Sequence, residues 1–362
     1  MRLKKGRPDL LIFFVTMLLL AIGIVMVFSA SYYDTLDKDP YYYLRKQLTW
    51  GLLGLVAMLV MMKIDYFRLK PYVNLGFGIA LIMLIVVLFF EPINGARRWI
   101  NLGFTRIQPS EIMKLCMVFF IAKGLSKRGS NIKDLVAGVG PYLVFLGVVG
   151  ALIMMEPDLG TTLVIAGTTG VLLIAAGLSL GHCFFLSLTG VAGVGGLILM
   201  DPTRINRIIG YWDPWSHAGK EGYQLINSLY ALGSGGFFGM GLGNSRQKLD
   251  YLPEQHTDFI FAILGEELGF IGAILVVLLF FIFAWRGYRI ALTCPESFGC
   301  LLAVGITTMI VLQAFVNMGV VTGLLPVTGI ALPFISYGGS SLLITMLGVG
   351  TLLNISRYSH SP

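Results

Sequence analysis

Asp258 closes the run Gln247-Lys248-Leu249-Asp250-Tyr251-Leu252-Pro253-Glu254-Gln255-His256-Thr257-Asp258 and opens a long apolar stretch. A carboxylate there can take the proton of an attacking hydroxyl. The plain alternative is an acid in the first turn of a helix, favoured by the helix dipole, with Thr257 as the cap. A helix N-terminus also lowers a carboxyl pKa, so burial or the nearby Glu254 must offset the dipole if Asp258 is to work as a base. Arg97, Arg98, Arg106, Arg204 and Arg207 lie in segments flanking apolar stretches. Guanidinium groups grip phosphate oxygens through paired N–H donors, so these cations suit a lipid pyrophosphate. Ordinary contact with phospholipid phosphate accounts for them equally well.

Other charges fall within or beside apolar stretches. Glu111 and Lys114 are one helical turn apart after Gln108-Pro109-Ser110, Glu156 and Asp158 bracket Pro157, and Glu266 and Glu267 lie beyond Asp258. That pair is about 12 Å further along a helix. Ionisable groups at membrane depth are costly unless paired, and they mark either function or an internal ion pair. The spacing of Glu111 and Lys114 makes such a pair easy, while helix-end and turn roles compete for Glu156 and Asp158. From Gly319 to Ser341 the chain is dense in Gly and Pro and carries Ser336 and Ser340. A broken backbone at that depth must be buried in protein or line a wet cavity; small residues at close helix contacts are the competing explanation.

The elements that position these residues follow from composition. The 362 residues are 56% hydrophobic and 12% charged, with mean hydropathy +0.81. A soluble domain is roughly 25% charged, so lipid is this chain's solvent and a soluble nucleic-acid binder is excluded despite the net charge of +7. Ten stretches meet or approach the roughly 20 apolar residues of a spanning helix: 10–30, 47–63, 71–90, 108–125, 136–155, 159–177, 181–200, 258–285, 299–322 and 334–355. The apolar run from Leu10 to Phe28 is too long for a signal peptide, which predicts an uncleaved first span. The short connections at 156–158 and 178–180 predict antiparallel neighbours.

Lys and Arg set the orientation. With the N-terminus inside, inner segments carry Arg2, Lys4, Lys5, Arg7, Lys63, Arg68, Lys70, Lys123, Lys127, Arg128, Lys133, Arg286, Arg289 and Arg357. Short outer loops carry Lys38, Arg45, Lys46, Arg97, Arg98 and Arg106, and segment 201–257 adds Arg204, Arg207, Lys220, Arg246 and Lys248. The bias predicts both termini inside and 201–257 as a large outer segment between spans seven and eight. Its aromatic content predicts amphipathic pieces at the interface, with Trp212 and Trp215 at head-group level. The four cysteines and four histidines show no metal-ligand spacing, and no internal repeat is evident.

Taken together, Arg97-Arg98-Trp99-Ile100, Gln108-Pro109-Ser110-Glu111 with Lys114, Glu156-Pro157-Asp158-Leu159-Gly160-Thr161, the run from Gln247 to Phe259 and the stretch from Gly323 to Ser341 resemble the SEDS family (shape, elongation, division and sporulation), in its division and sporulation branch. The resemblance covers essentially the whole chain. It implies an all-α, polytopic ten-helix bundle forming one domain over 1–362 in the bacterial cytoplasmic membrane. The implied activity is peptidoglycan glycosyl transfer, polymerising lipid II on the outer face. By resemblance, Asp258 is the catalytic acid and general base. The substrate-binding candidates are Arg97, Arg98, Glu111, Lys114, Glu156, Asp158, Arg204, Lys248, Glu254, Ser336 and Ser340, with Arg98 and Lys114 preferred at the leaving pyrophosphate and Glu111 orienting Lys114. A divalent cation, Mg²⁺ or Mn²⁺, could assist, although no dedicated metal site is visible. The implied partners are lipid II and a class B penicillin-binding transpeptidase. A lipid II flippase and a non-catalytic scaffold for the transpeptidase are the competing readings; charge is sparse in the inner half of the spans, which disfavours the flippase.

Overall fold

The computed structural model describes residues 5–36, 39–93, 95–103, 105–127, 132, 134, 138–199, 201–249 and 252–359. Asp250 and Tyr251 of the acidic run lie outside the described residues, as do the basic residues Arg2, Lys4, Lys38, Arg128 and Lys133. The fold is all-α: α1 (Leu10–Ser31), α2 (Tyr42–Lys63), α3 (Tyr66–Leu69), α4 (Val73–Val87), α5 (Pro109–Leu125), α6 (Gly140–Met155), α7 (Leu159–Ala175), α8 (Leu180–Leu199), α9 (Pro202–Trp212), α10 (Tyr223–Gly235), α11 (Ile260–Thr293), α12 (Ser297–Val321) and α13 (Gly339–Ser356). A two-residue hairpin, β1 (Ile100–Asn101) on β2 (Arg106–Ile107), pairs Ile100 with Ile107 and Asn101 with Arg106.

Each expected span overlaps a helix. α1, α2, α3 continuing into α4, α11, α12 and α13 are long and apolar enough to cross a membrane, and α6, α7 and Gly181–Gly196 are shorter apolar helices. α5 belongs to neither group, because Glu111, Lys114 and Lys123 fall within its 17 residues. Acids cap several helices where the chain turns: Asp9 accepts from Ile12 N (3.1 Å), Asp158 from Thr161 N (3.0 Å), Asp201 from Thr203 N (3.0 Å) and Glu296 from Gly299 N (3.3 Å). Each satisfies an amide that the helix itself leaves open.

α12 and α13 are the most buried of the long helices and α2 the least. Lipid offers no hydrophobic drive between helices, so close contact depends on small residues. Gly350 of α13 lies so near α2 that a Cβ there would come within 2.5 Å of the Met58 carbonyl, and one at Gly23 of α1 within 2.4 Å of the Phe334 carbonyl. At the Asp9 end of the bundle, Arg286 donates twice to Asp9 Oδ2 (3.0 and 2.5 Å), while Lys5 (2.6 Å) and Tyr358 (2.5 Å) converge on Asp65.

α11 is broken. Gly269 has φ 66° and ψ −168°, a backbone state confined to glycine. The freed groups pair with a neighbouring loop: Phe270 N donates to Gly236 O (2.8 Å), Ile271 N to Phe237 O (3.2 Å), Met240 N to Glu266 O (2.9 Å) and Gly241 N to Glu267 O (3.0 Å). The run from Gly236 to Gly241 is thereby laid against the middle of a long apolar helix, a relation that hydropathy does not reveal.

Candidate active site

The Gly- and Pro-dense stretch is an irregular segment over 322–338, between α12 and α13. Its first half carries the exposed Thr322, Leu324 and Leu325, while its second half is held in protein, with Ile330, Leu332, Phe334 and Ile335 all inside, which is how backbone without regular structure survives in such a bundle. It clasps the acidic run. Ser336 Oγ donates to Thr257 O (2.6 Å) and accepts from Leu332 N (2.7 Å), and Tyr337 N donates to His256 O (2.9 Å). Asn317 Nδ2 reaches both the Asp258 carbonyl (2.7 Å) and the Ile330 carbonyl (2.6 Å).

Asp258 therefore sits two residues before α11, and the expected cap is corrected: Phe259 occupies the cap position without a side-chain bond. The Thr257 hydroxyl instead turns back to Glu254, donating to its carbonyl (3.1 Å) and lying 2.8 Å from Oε2. Burial, reinforced by the charges of Glu254 and Asp158 and opposed by Arg98, pushes the Asp258 carboxyl up to about 7. The offset to the helix dipole is thus present. Glu156, in the turn between α6 and α7, is pushed up to about 8 by burial and by Asp158, against Arg98. Among the described residues, neither of its carboxylate oxygens has a hydrogen-bond partner.

Arg98 is held between these acids. Its Nε donates to Glu156 O (3.0 Å) and its NH2 donates to Pro157 O. Gln108 Nε2 links Ser110 Oγ (3.1 Å) to Asp158 Oδ2 (3.4 Å), and Ser340 Oγ accepts from Gln108 N and donates to Arg106 O, both at 3.3 Å. Lys114 pairs with Glu111 (2.9 Å) and donates to Gln313 Oε1 (2.6 Å), while Gln313 Nε2 donates to Ala331 O (2.9 Å). The buried Glu111–Lys114 pair is thus wired to the irregular segment. Asn317 and Gln313 were not among the sequence candidates. Two amides at i and i+4 inside an apolar span were the available signal.

Three expected residues are turned elsewhere. Arg97 NH1 donates to Leu88 O (3.0 Å), Arg204 pairs with Asp201, the cap of its own helix (3.1 Å), and Lys248 is buried against Glu267 (2.9 Å) and Ser29 Oγ (3.3 Å). Ser29 Oγ lies 2.7 Å from both Glu267 oxygens. Glu266 receives Ser245 Oγ and Ser234 Oγ (3.3 Å) together with the amides of Arg246 (3.0 Å) and Gln247 (3.4 Å). The two glutamates thus anchor the loop that leads to Asp258. Among the described residues, no group of three His, Cys, Asp or Glu side chains converges as a metal cage.

The FtsW/RodA/SpoVE family model, described as cell cycle protein, matches residues 9–361. Stage V sporulation protein E of Bacillus subtilis (strain 168) is 49% identical over 99% of this chain and 100% of its own length. The probable peptidoglycan glycosyltransferase FtsW of Geobacter sp. (strain M18) is 41% identical over 96% of each. Among solved structures, a chain of a peptidoglycan synthase complex that coordinates polymerization and crosslinking superposes with TM-score 0.80 at 28% identity, over 97% of this chain and 98% of that one. The rod shape determining protein RodA of Thermus thermophilus does so with TM-score 0.72 at 29% identity, over 98% of each. The chain is a multi-pass membrane protein that belongs to the FtsW/RodA/SpoVE family of cell cycle proteins.

Proposed function

We propose that this chain is a peptidoglycan glycosyltransferase that polymerises lipid II. The observation that carries the reading is Asp258, a carboxyl held near neutrality at one end of the bundle, with the guanidinium of Arg98 in its field. A general base works best with a pKa near the working pH. The acceptor hydroxyl forms a new bond to the anomeric carbon of the donor sugar and gives its proton to Asp258. The bond from that carbon to the lipid pyrophosphate breaks, and the electron pair leaves with the pyrophosphate. Positive charge must meet that anion, and Arg98, whose charge already acts on the Asp258 carboxyl, is the candidate to supply it, with Lys114 as the second candidate. A divalent cation such as Mg²⁺ or Mn²⁺, when bound, would add positive charge at the leaving pyrophosphate.

The bias of Lys and Arg supports a topology with both termini in the cytoplasm and residues 201–257 on the outer face of the bacterial cytoplasmic membrane, and the reading takes the whole chain as one domain. Likeness to a chain of a polymerizing and crosslinking complex supports a class B penicillin-binding transpeptidase as partner. The test is lipid II polymerisation by the purified chain, with and without the transpeptidase, comparing wild type with Asp258→Asn. Polymer from wild type and none from the folded variant supports the reading. Equal polymer from both removes Asp258 from the chemistry, and lipid II transport without polymer makes the protein a flippase.

A further inference from the structure

A cavity of about 120 Å³ opens between α9, α10 and the irregular segment, lined by Arg207, Tyr211, Lys220, Glu221, Gln224 and Val327. That is room for about four waters. Its walls are fixed by close backbone contact. A Cβ on Gly210 would come within 2.7 Å of Glu221 Cβ, and one on Gly222 within 2.3 Å of the Pro214 carbonyl. Tyr211 Oη donates to Leu324 O (3.0 Å), which ties α9 to the irregular segment. Val327 forms one wall, and two residues further on a Cβ at Gly329 would lie 3.4 Å from Asp258 Oδ2. Two residues of extended chain span at most about 7 Å, so this cavity and the reacting carboxylate share one short stretch of backbone.

Among the described residues, the side chains of Arg207, Lys220, Glu221 and Gln224 have no hydrogen-bond or ion-pair partner. Two cations and one carboxylate leave an excess of positive charge with its donors unused. Arg207 offers a planar fork that matches a carboxylate, and Lys220 a point charge beside it. Glu221 and the Gln224 carbonyl add acceptors for N–H groups. A carboxylate flanked by amide N–H groups is the chemistry of a peptide. A phospholipid phosphodiester carries the same single negative charge as a carboxylate but brings no flanking amide N–H donors for Glu221 and the Gln224 carbonyl.

We propose that this cavity is a subsite for a carboxylate of the peptide carried by the lipid-linked disaccharide, separate from the pyrophosphate site at Arg98. The proposal rests on the reading of the chain as a lipid II polymerase. The subsite acts in binding and leaves the bond-making atoms to Asp258 and Arg98.

The test uses the full chain in nanodiscs with Arg207→Gln and Lys220→Gln, both at exposed positions. The probes are lipid II with its native peptide and lipid II with the peptide carboxylates amidated, read by equilibrium binding and by polymerisation kinetics. Loss of a charge-assisted hydrogen bond predicts binding weakened about 10-fold, with KM raised alike and kcat within about twofold. Amidation should weaken wild-type binding by the same factor and cost the variants nothing more. Variants that lose equally on both probes, or on neither, overturn the proposal. If the effect of the variants vanishes when anionic lipid is replaced by neutral lipid, the occupant is a phospholipid phosphate and the proposal also fails. A wild type that binds with this dependence on Arg207 but makes no polymer overturns the enzymatic reading and leaves the subsite standing.

Discussion

Asn317 fastens Asp258 to Ile330: one amide nitrogen donates to both backbone carbonyls, at 2.7 and 2.6 Å. The backbone of Asp258, the proposed general base, is therefore held by α12 just ahead of α11, and the irregular segment is held in the same grip. Asn317→Leu keeps the approximate volume and removes both donors. Each carbonyl left without a partner costs about 1–3 kcal/mol. Polymerisation of lipid II should fall by at least about 10-fold while the variant still folds, because 1.4 kcal/mol of misplacement is already a factor of ten. A full rate from a variant with a lowered melting temperature would restrict Asn317 to stability.

The Asp258 carboxyl at about 7 fixes a pH dependence. A general base acts in its deprotonated form, so kcat/KM should rise with pH through about 7 and level off above it. Glu254→Gln removes a neighbouring negative charge that raises the Asp258 pKa, so the rising limb should move to lower pH. A limb that stays in place would mean that Glu254 does not act on Asp258. Stability runs the opposite way. The folded carboxyl keeps its proton above 3.8, the ordinary value for an aspartate, where the unfolded chain has lost its own. Asp258 therefore lowers stability progressively as pH rises from about 4 to about 7. Above that range Asp258→Asn should melt no lower than wild type, which thermal unfolding at two pH values can check.

Lys248 and Glu267 form a buried ion pair with Ser29 as its third member. Removing one charge leaves the other unpaired in an apolar interior, which costs about 3–5 kcal/mol. Lys248→Met should therefore destabilise strongly, and adding Glu267→Gln should restore much of the loss. Thermal unfolding of the four proteins in a double-mutant cycle reads the coupling. Simple additivity of the two changes would mean that the pair carries no shared energy.

How much of this could be read in the sequence varies with the kind of information involved. The spans follow from hydropathy because a bilayer imposes one length and one polarity on every helix. Gly323 to Ser341 was readable as a broken element because Gly and Pro disrupt helices wherever they fall. The local pair Glu111–Lys114 was readable because its partners stand one helical turn apart, but pairings between distant segments were not. Ser29 and Glu267 are 238 positions apart, and no local pattern tells Glu267 that Lys248 is its partner rather than the substrate's. Thr257 looked like a cap by position, yet the loop turns its hydroxyl back to Glu254. The break at Gly269 has no local signature because one glycine in an apolar helix is ordinary; only the loop from Gly236 to Gly241 gives it meaning.

Gly329 offers the sharpest separation of access from strain. Its φ is 71°, on the left-handed side where a side chain costs about 1–2 kcal/mol, and an added Cβ would stand 3.4 Å from Asp258 Oδ2. Gly323, in the same segment, has φ 75°, and an added Cβ would meet Leu225 at 3.4 Å, not Asp258. Gly329→Ala and Gly323→Ala should thus lose similar stability by thermal unfolding, since the backbone penalty is shared. Their activities should part. The Gly329 methyl would stand beside the carboxylate proposed to receive the proton, so kcat should fall at least about 10-fold, whereas Gly323→Ala should stay within about threefold of wild type. Equal losses of activity would assign the effect to backbone strain spread along the segment, and the close approach of Gly329 to Asp258 would then have no part in catalysis.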